Sequence, residues 1–239
     1  MNPSTSQLHP ASFAEFAQEA QRGNVIAVVR TVLAGKLDPI DAFVSVSHGS
    51  QYAFLLESVE GGEVVAKYSF LGANPYMIVR GEGDTTTIER EGETERRNER
   101  LPEFLRRHFR ENKLAVRADL GPLAGGAVGY LGYGAAKWFE PALNKQDKTH
   151  REMSGDSQGE DSLLMFYRTL VVFDRVKGQM RIVSVVFTDE SAGNEARLRD
   201  LYEAAVAETE RIANLLEIAS APIDDVRLSN GESFSKSRA

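Results

Sequence analysis

Apolar and polar positions along this chain fall into registers that predict most of its elements. Tyr52 to Leu56 is an apolar run rich in side chains that suit a mostly buried strand, and it stops at Glu57-Ser58. Gly61-Gly62 supplies a turn, because glycine takes positive φ freely, and Val64 to Phe70 reads as the returning strand. A longer apolar run, Leu163 to Phe173, ends at Asp174-Arg175, turns at Lys177-Gly178 and returns as Gln179 to Phe187. That pattern predicts a long central hairpin. Asp174 and Arg175 read as its turn residues, and a pairing between them would contribute little if exposed.

Shorter strands are predicted at Val25 to Val29, Pro75 to Arg80 and Thr85 to Arg90, the last two joined by Gly81-Glu82-Gly83. Weak alternation across Thr85, Thr87 and Ile88 places that pair near an edge or surface. The charged run from Glu89 to Arg100 reads as solvated turn and loop.

Helical spacing appears four times. Ser12 caps a helix reaching Gln21, with Glu15 three residues on and Phe13, Phe16 and Ala17 on one face; Gly23 ends it. Asp38 as N-cap and Pro39 at the first helical position start Ile40 to Val46. Pro102 starts Glu103 to Asn112, with Phe104, Leu105, His108 and Phe109 at helical spacing and His108 at the surface or partly packed. Thr188 and Asp189 cap Glu190 to about Glu217, whose stripe from Leu198 through Tyr202, Ala205 and Ile212 to Leu216 suits a helix covering the chain's own sheet.

The sum is an α+β fold: antiparallel, curved, sandwich-like sheets flanked by helices, occupying residues 1–218. Pro141 to Asp161 is polar and reads as a surface loop, and 219–239 reads as a linker or tail.

Composition narrows the function. The 239 residues, 42% hydrophobic and 26% charged, describe an ordinary globular chain. A net charge of -7 argues against a nucleic-acid or anionic-membrane surface. Without cysteine there is no disulfide framework, thiolate nucleophile or thiolate metal site. The start lacks a signal peptide, and no window approaches the ~20 apolar residues that span a bilayer, so a cytoplasmic location is expected. His9, His48, His108 and His150 are too scattered to suggest a metal site.

Two readings of Glu57 and Ser58 stay open on residue chemistry alone. A carboxylate and a hydroxyl closing a buried strand need partners, since an unpaired buried polar group costs roughly 1 to 3 kcal/mol. Neighbouring backbone can satisfy them. Alternatively they form, with Lys67, the polar wall of a pocket for a small zwitterion, the carboxylate taking an ammonium and the hydroxyl and lysine a carboxylate. Lys67 is also a candidate cation for Glu57. Between Gly121 and Gly134 the many glycines have neither P-loop nor Rossmann spacing; they suit a strand lying close to another backbone.

LLES at Leu55 to Ser58 and, after the glycine turn, KYSFLG at Lys67 to Gly72 resemble the amino-terminal domain of anthranilate synthase component I, a chorismate-utilising family. The resemblance continues, in the family's order, through GPLAGGAVGYLGY at Gly121 to Tyr133 and LLMFYRTLVVFDRVKGQMRIV at Leu163 to Val183. It departs at Gly134, where the family usually carries an acidic residue.

The resemblance implies a tryptophan feedback site that includes Glu57, Ser58, Lys67 and Pro39, although helix initiation explains Pro39 about as well. It implies that the intact subunit turns chorismate and ammonia into anthranilate and pyruvate, with ammonia from a glutamine amidotransferase partner, component II. Catalytic residues and Mg ligands would lie in a catalytic domain beyond this chain, and none is assigned here. Two alternatives remain. One is the corresponding half of aminodeoxychorismate synthase component I or of an isochorismate or salicylate synthase; the other is a free-standing amino-acid sensor.

Overall fold

The structure is a computed structural model, in which residues 6–57, 68–116, 123–140 and 162–219 are described. Among the described residues, eleven strands form two antiparallel sheets. The six-stranded sheet contains β1 (Gln7–His9), β2 (Val25–Leu33), β3 (Ala53–Glu57), β4 (Tyr68–Ala73), β10 (Thr169–Asp174) and β11 (Gln179–Phe187), in the order β1-β2-β11-β10-β4-β3. The five-stranded sheet contains β5 (Met77–Glu82), β6 (Thr85–Arg90), β7 (Glu93–Arg97), β8 (Ala127–Leu131) and β9 (Ser162–Phe166), in the order β7-β6-β5-β9-β8. The α+β class with antiparallel sheets is as the pattern implies.

β2 and β11 pair from Val25↔Phe187 to Leu33↔Gln179, and both are buried on two faces, which is why they read as nearly continuous apolar runs. Helices α2 (Pro39–Ser47) and α4 (Glu195–Ala219) cover one face. Leu71, Phe173 and Ile182 there meet Ala42 of α2 and Ile212 and Leu216 of α4. α1 (Phe13–Glu19) packs Phe16 beside Tyr202 at the other end of α4. α3 (Leu101–Glu111) covers the five-stranded sheet with Leu101 and Phe104 against Met77, Val79 and Phe166. Phe54 and Leu170 of one sheet, with Tyr167, meet Val128 and Met165 of the other.

The helix starts are local chemistry. The Ser12 hydroxyl accepts the Glu15 N–H at 3.3 Å while the Glu15 carboxylate accepts the Ala11 N–H at 2.8 Å. Asp38 accepts the Ile40 N–H at 2.8 Å, and Pro39 opens α2. At Gly129 an added Cβ would run into the Leu163 carbonyl oxygen, so glycine there permits close approach of β8 to β9.

Three expectations about the elements need correction. The run from Leu163 to Phe173 is not one strand of a central hairpin: β9 pairs with β5 and β8, and after Tyr167-Arg168 the chain crosses sheets to become β10. The charged run after Glu89 is not all loop, since β7 pairs with β6 through Thr86↔Arg97 to Arg90↔Glu93. An exposed edge strand needs one partner and no apolar face, which a wholly polar strand can satisfy. The β5–β6 pair lies near an edge, as its weak alternation implies: β6 adjoins the edge strand β7, β5 is central, and the inward register is Thr86 and Ile88.

The last helix starts later than expected. A 3-10 turn, Thr188–Ser191, and left-handed Ala192 (φ 51) and Gly193 (φ 76) interrupt the pattern. Asn194 then caps α4 by accepting the Arg197 N–H at 3.0 Å. The expected Gly61-Gly62 turn, the loop 141–161 and the tail from 220 lie outside the described residues.

Candidate functional site

The polar end of β3 is built by strand register. Glu57 stands opposite Ser69 of β4, and Ser69 opposite Phe173 of β10. Antiparallel partners share a face. Glu57, Ser69 and Phe173 therefore lie on the side covered by α2 and α4, in line with Leu55 and Leu71.

Arg175 lies in the turn just after β10, two residues past Phe173, and its side chain reaches that same side. Its Nη2 donates to Glu57 Oε1, and to the fully buried Ser69 hydroxyl at 3.3 Å. The Glu57 side chain is 24% exposed and that of Arg175 44%. A carboxylate and a guanidinium thus sit side by side at the rim, each partly open to solvent.

Pro39 lies at the same end of the sheet. The Ala34 N–H donates to the Gly178 carbonyl at 3.0 Å, so the chain leaving β2 passes the β10–β11 turn before entering α2. The helix then runs back toward the start of β3, where Ser50 donates to the Tyr52 carbonyl at 2.7 Å. Pro39 is buried at the helix start. Ser58 and Lys67, the other two expected site residues, lie outside the described residues.

Asp174 and Arg175 do not pair as turn residues. Asp174 points to the opposite face, is almost wholly buried and accepts Arg181 Nη2 at 2.8 Å and the Lys177 N–H at 3.0 Å. The neighbouring residues thus serve two separate ion pairs, one on each side of the sheet. Arg175 is the functional candidate that sequence reading missed, because along the chain it stands only as a turn residue after an apolar run.

Clefts of about 500 and 410 Å3 open elsewhere, around Tyr76. Among the described residues no three His, Asp or Glu side chains converge as a metal site, and no helix is long and apolar enough to cross a membrane.

No family model matches the chain. Anthranilate synthase component 1 of Synechocystis sp. is 30% identical over 211 residues, covering 88% of this chain and 40% of that protein. The probable anthranilate synthase component 1 of Schizosaccharomyces pombe is 31% identical over 213 residues, 87% of this chain and 37% of its own length. The Bacillus caldotenax protein of the same name is 30% identical over 228 residues, 93% and 42% of the two chains. The chain therefore spans about two fifths of the length of these curated relatives. Among solved structures, anthranilate synthase component I from Streptococcus pneumoniae is 20% identical, covering 75% of this chain and 36% of its own, with a TM-score of 0.36.

Proposed function

We infer, from the premise that this chain is a homologue of anthranilate synthase component 1, that it is the amino-terminal, tryptophan-sensing portion of such a subunit. The observation that carries this reading is the Glu57–Arg175 pair at the rim of the sheet. An amino acid presents one ammonium and one carboxylate, and the rim offers one group of each opposite sign. Glu57 takes the ammonium and Arg175 turns outward to take the carboxylate. Ser58 and Lys67 add polar contacts, and Pro39 supplies an apolar wall.

The exchange is inexpensive. A partly exposed ion pair is worth about 0 to 1 kcal/mol, so a ligand that replaces both halves with its own charges loses little. Feedback then follows if bound tryptophan favours one arrangement of this portion against the catalytic portion, a coupling of typically about 1 to 3 kcal/mol. In that setting the complete subunit works in the cytoplasm and converts chorismate and ammonia to anthranilate and pyruvate. Mg sits in its catalytic portion, and component II, the glutamine amidotransferase, delivers the ammonia.

A thermal melt with tryptophan or chorismate, on this chain and on the full-length subunit carrying it, tests the reading. Tryptophan at about 100 times its dissociation constant stabilises the fold by ~2.7 kcal/mol. Glu57→Gln and Ser58→Ala reduce that gain, and chorismate does not reproduce it on this chain. Identical melting with and without tryptophan in the full-length subunit overturns the reading.

A further inference from the structure

A cleft of about 500 Å3 opens on the five-stranded sheet, between β6, β7, α3 and the turn after β11. That is within the usual range for small-molecule sites, roughly 300 to 1,000 Å3. Its floor is aromatic. Phe104 and His108, one turn apart on α3, stack at 5.7 Å with an interplanar angle of 17°, and Tyr76 meets Phe187 at 5.4 Å. Met77 and Ile88 complete the apolar lining.

His108 presents a neutral ring. Burial, reinforced by Arg107 and Arg90, holds its pKa below the ordinary value. The Asn112 amide nitrogen donates to the His108 carbonyl at 2.9 Å and lies 3.3 Å from Nδ1. An amide NH2 only donates, so Nδ1 accepts and the ring proton resides on Nε2.

The rim carries more negative than positive charge. Each of its guanidiniums already has a carboxylate: Arg90 with Glu190 at 2.9 Å, Arg97 with Glu95 at 2.6 Å and Arg107 with Glu99 at 2.8 Å. Glu91 and Glu93 line the same cleft, are exposed, and have no ion pair among the described residues. Glu91 is held at the β6–β7 turn in the left-handed region, with φ 53, and β7 alternation turns Glu93, Glu95 and Arg97 to the cleft side.

We propose that this cleft binds a flat-ringed organic cation, an arylalkylamine whose ring lies against Tyr76 and His108 and whose ammonium sits against Glu91 and Glu93. A ligand of the same shape bearing a carboxylate would meet those glutamates with no unpaired rim cation to receive it. A zwitterion would gain at its ammonium and lose at its carboxylate. The site is separate from the Glu57 rim, on the other sheet, and does not depend on what binds there.

Titration of the 15N-labelled chain with tryptamine and with indole-3-acetate, which share a ring and differ in charge, tests the proposal. Tryptamine shifts the amides around Tyr76, Phe104 and His108, and binds at least tenfold tighter than indole-3-acetate. The double variant Glu91→Gln with Glu93→Gln, at exposed positions, keeps the folded spectrum and weakens tryptamine about threefold to tenfold. Equal binding of the two probes, no loss in the double variant, shifts confined to Glu57 and Arg175, or no shifts at all each overturn the proposal.

Discussion

Glu57 and Arg175 stand 118 positions apart and meet as an ion pair where β3, β4 and β10 end side by side. Register places Glu57 opposite Ser69 of β4, and Arg175, in the turn just after β10, donates to both. A one-residue slip of β3 against β4 would turn Glu57 to the opposite face and abolish the pair.

Arg175→Met is therefore expected to cost less than about 1 kcal/mol of stability in urea unfolding, as befits a partly exposed pair. Its effect on the tryptophan-induced rise in melting temperature is expected to be larger, because the ligand carboxylate loses its cation. An unchanged tryptophan response in a folded Arg175→Met variant would remove Arg175 from the site.

Asp174→Ala should behave in the opposite way. It strips the carboxylate from Arg181, whose side chain is only 11% exposed, and from the Lys177 N–H. Breaking a buried pair by removing one partner costs roughly 3 to 5 kcal/mol. Urea unfolding of the two variants side by side checks the contrast, and a loss below about 1 kcal/mol for Asp174→Ala would contradict it.

Ser162 starts β9 fully buried, and its hydroxyl has no hydrogen-bond partner among the described residues. Such a group carries a desolvation cost of about 1 to 3 kcal/mol. Ser162→Ala is expected to be neutral or stabilising, by up to about 1 kcal/mol, in denaturant melts. A destabilisation of that size would mean that the hydroxyl makes a contact in solution.

Stability should fall at both ends of the pH range, for opposite reasons. Burial pushes the Tyr76 and Tyr167 phenols up to about 12, so the unfolded chain loses these protons first. That contribution is fully present below pH 10 and is lost as the pH rises through 12. Tyr167→Phe should flatten the alkaline limb by an amount on the order of 2 kcal/mol. His108 is depressed from 6.5, chiefly by burial, so below that pH the unfolded chain takes up a proton that the folded chain resists, and stability declines. His108→Gln should reduce the slope below about pH 6.5. Stability curves of the two variants that parallel the parent's would count against both assignments.

Much of the fold is written in periodicities that need no tertiary knowledge. β2, β10 and β11 are apolar enough to be buried on both faces, and the caps at Ser12 and Asp38 are local. What was hidden depended on partners. Nothing in Tyr167-Arg168 resembles a break, since neither glycine nor proline marks the point where the chain changes sheets. The ETERR segment, Glu93–Arg97, shows no apolar pattern because an edge strand draws its order from β6. Asp174 looked like a turn residue until Arg181 was placed seven positions on, beneath the same sheet. At the site, Glu57 stood out as a carboxylate ending an apolar run, whereas Arg175 became visible only once β10 was set against β4.

The passage from β9 into β10 without a loop has a mechanical corollary. Residues 162–174 act as a spar shared by both layers, pinned in one by β5 and β8 and in the other by β4 and β11. Sliding one layer over the other would bend the spar at Tyr167, whose ring is wedged edge-on against Phe54 at 4.9 Å.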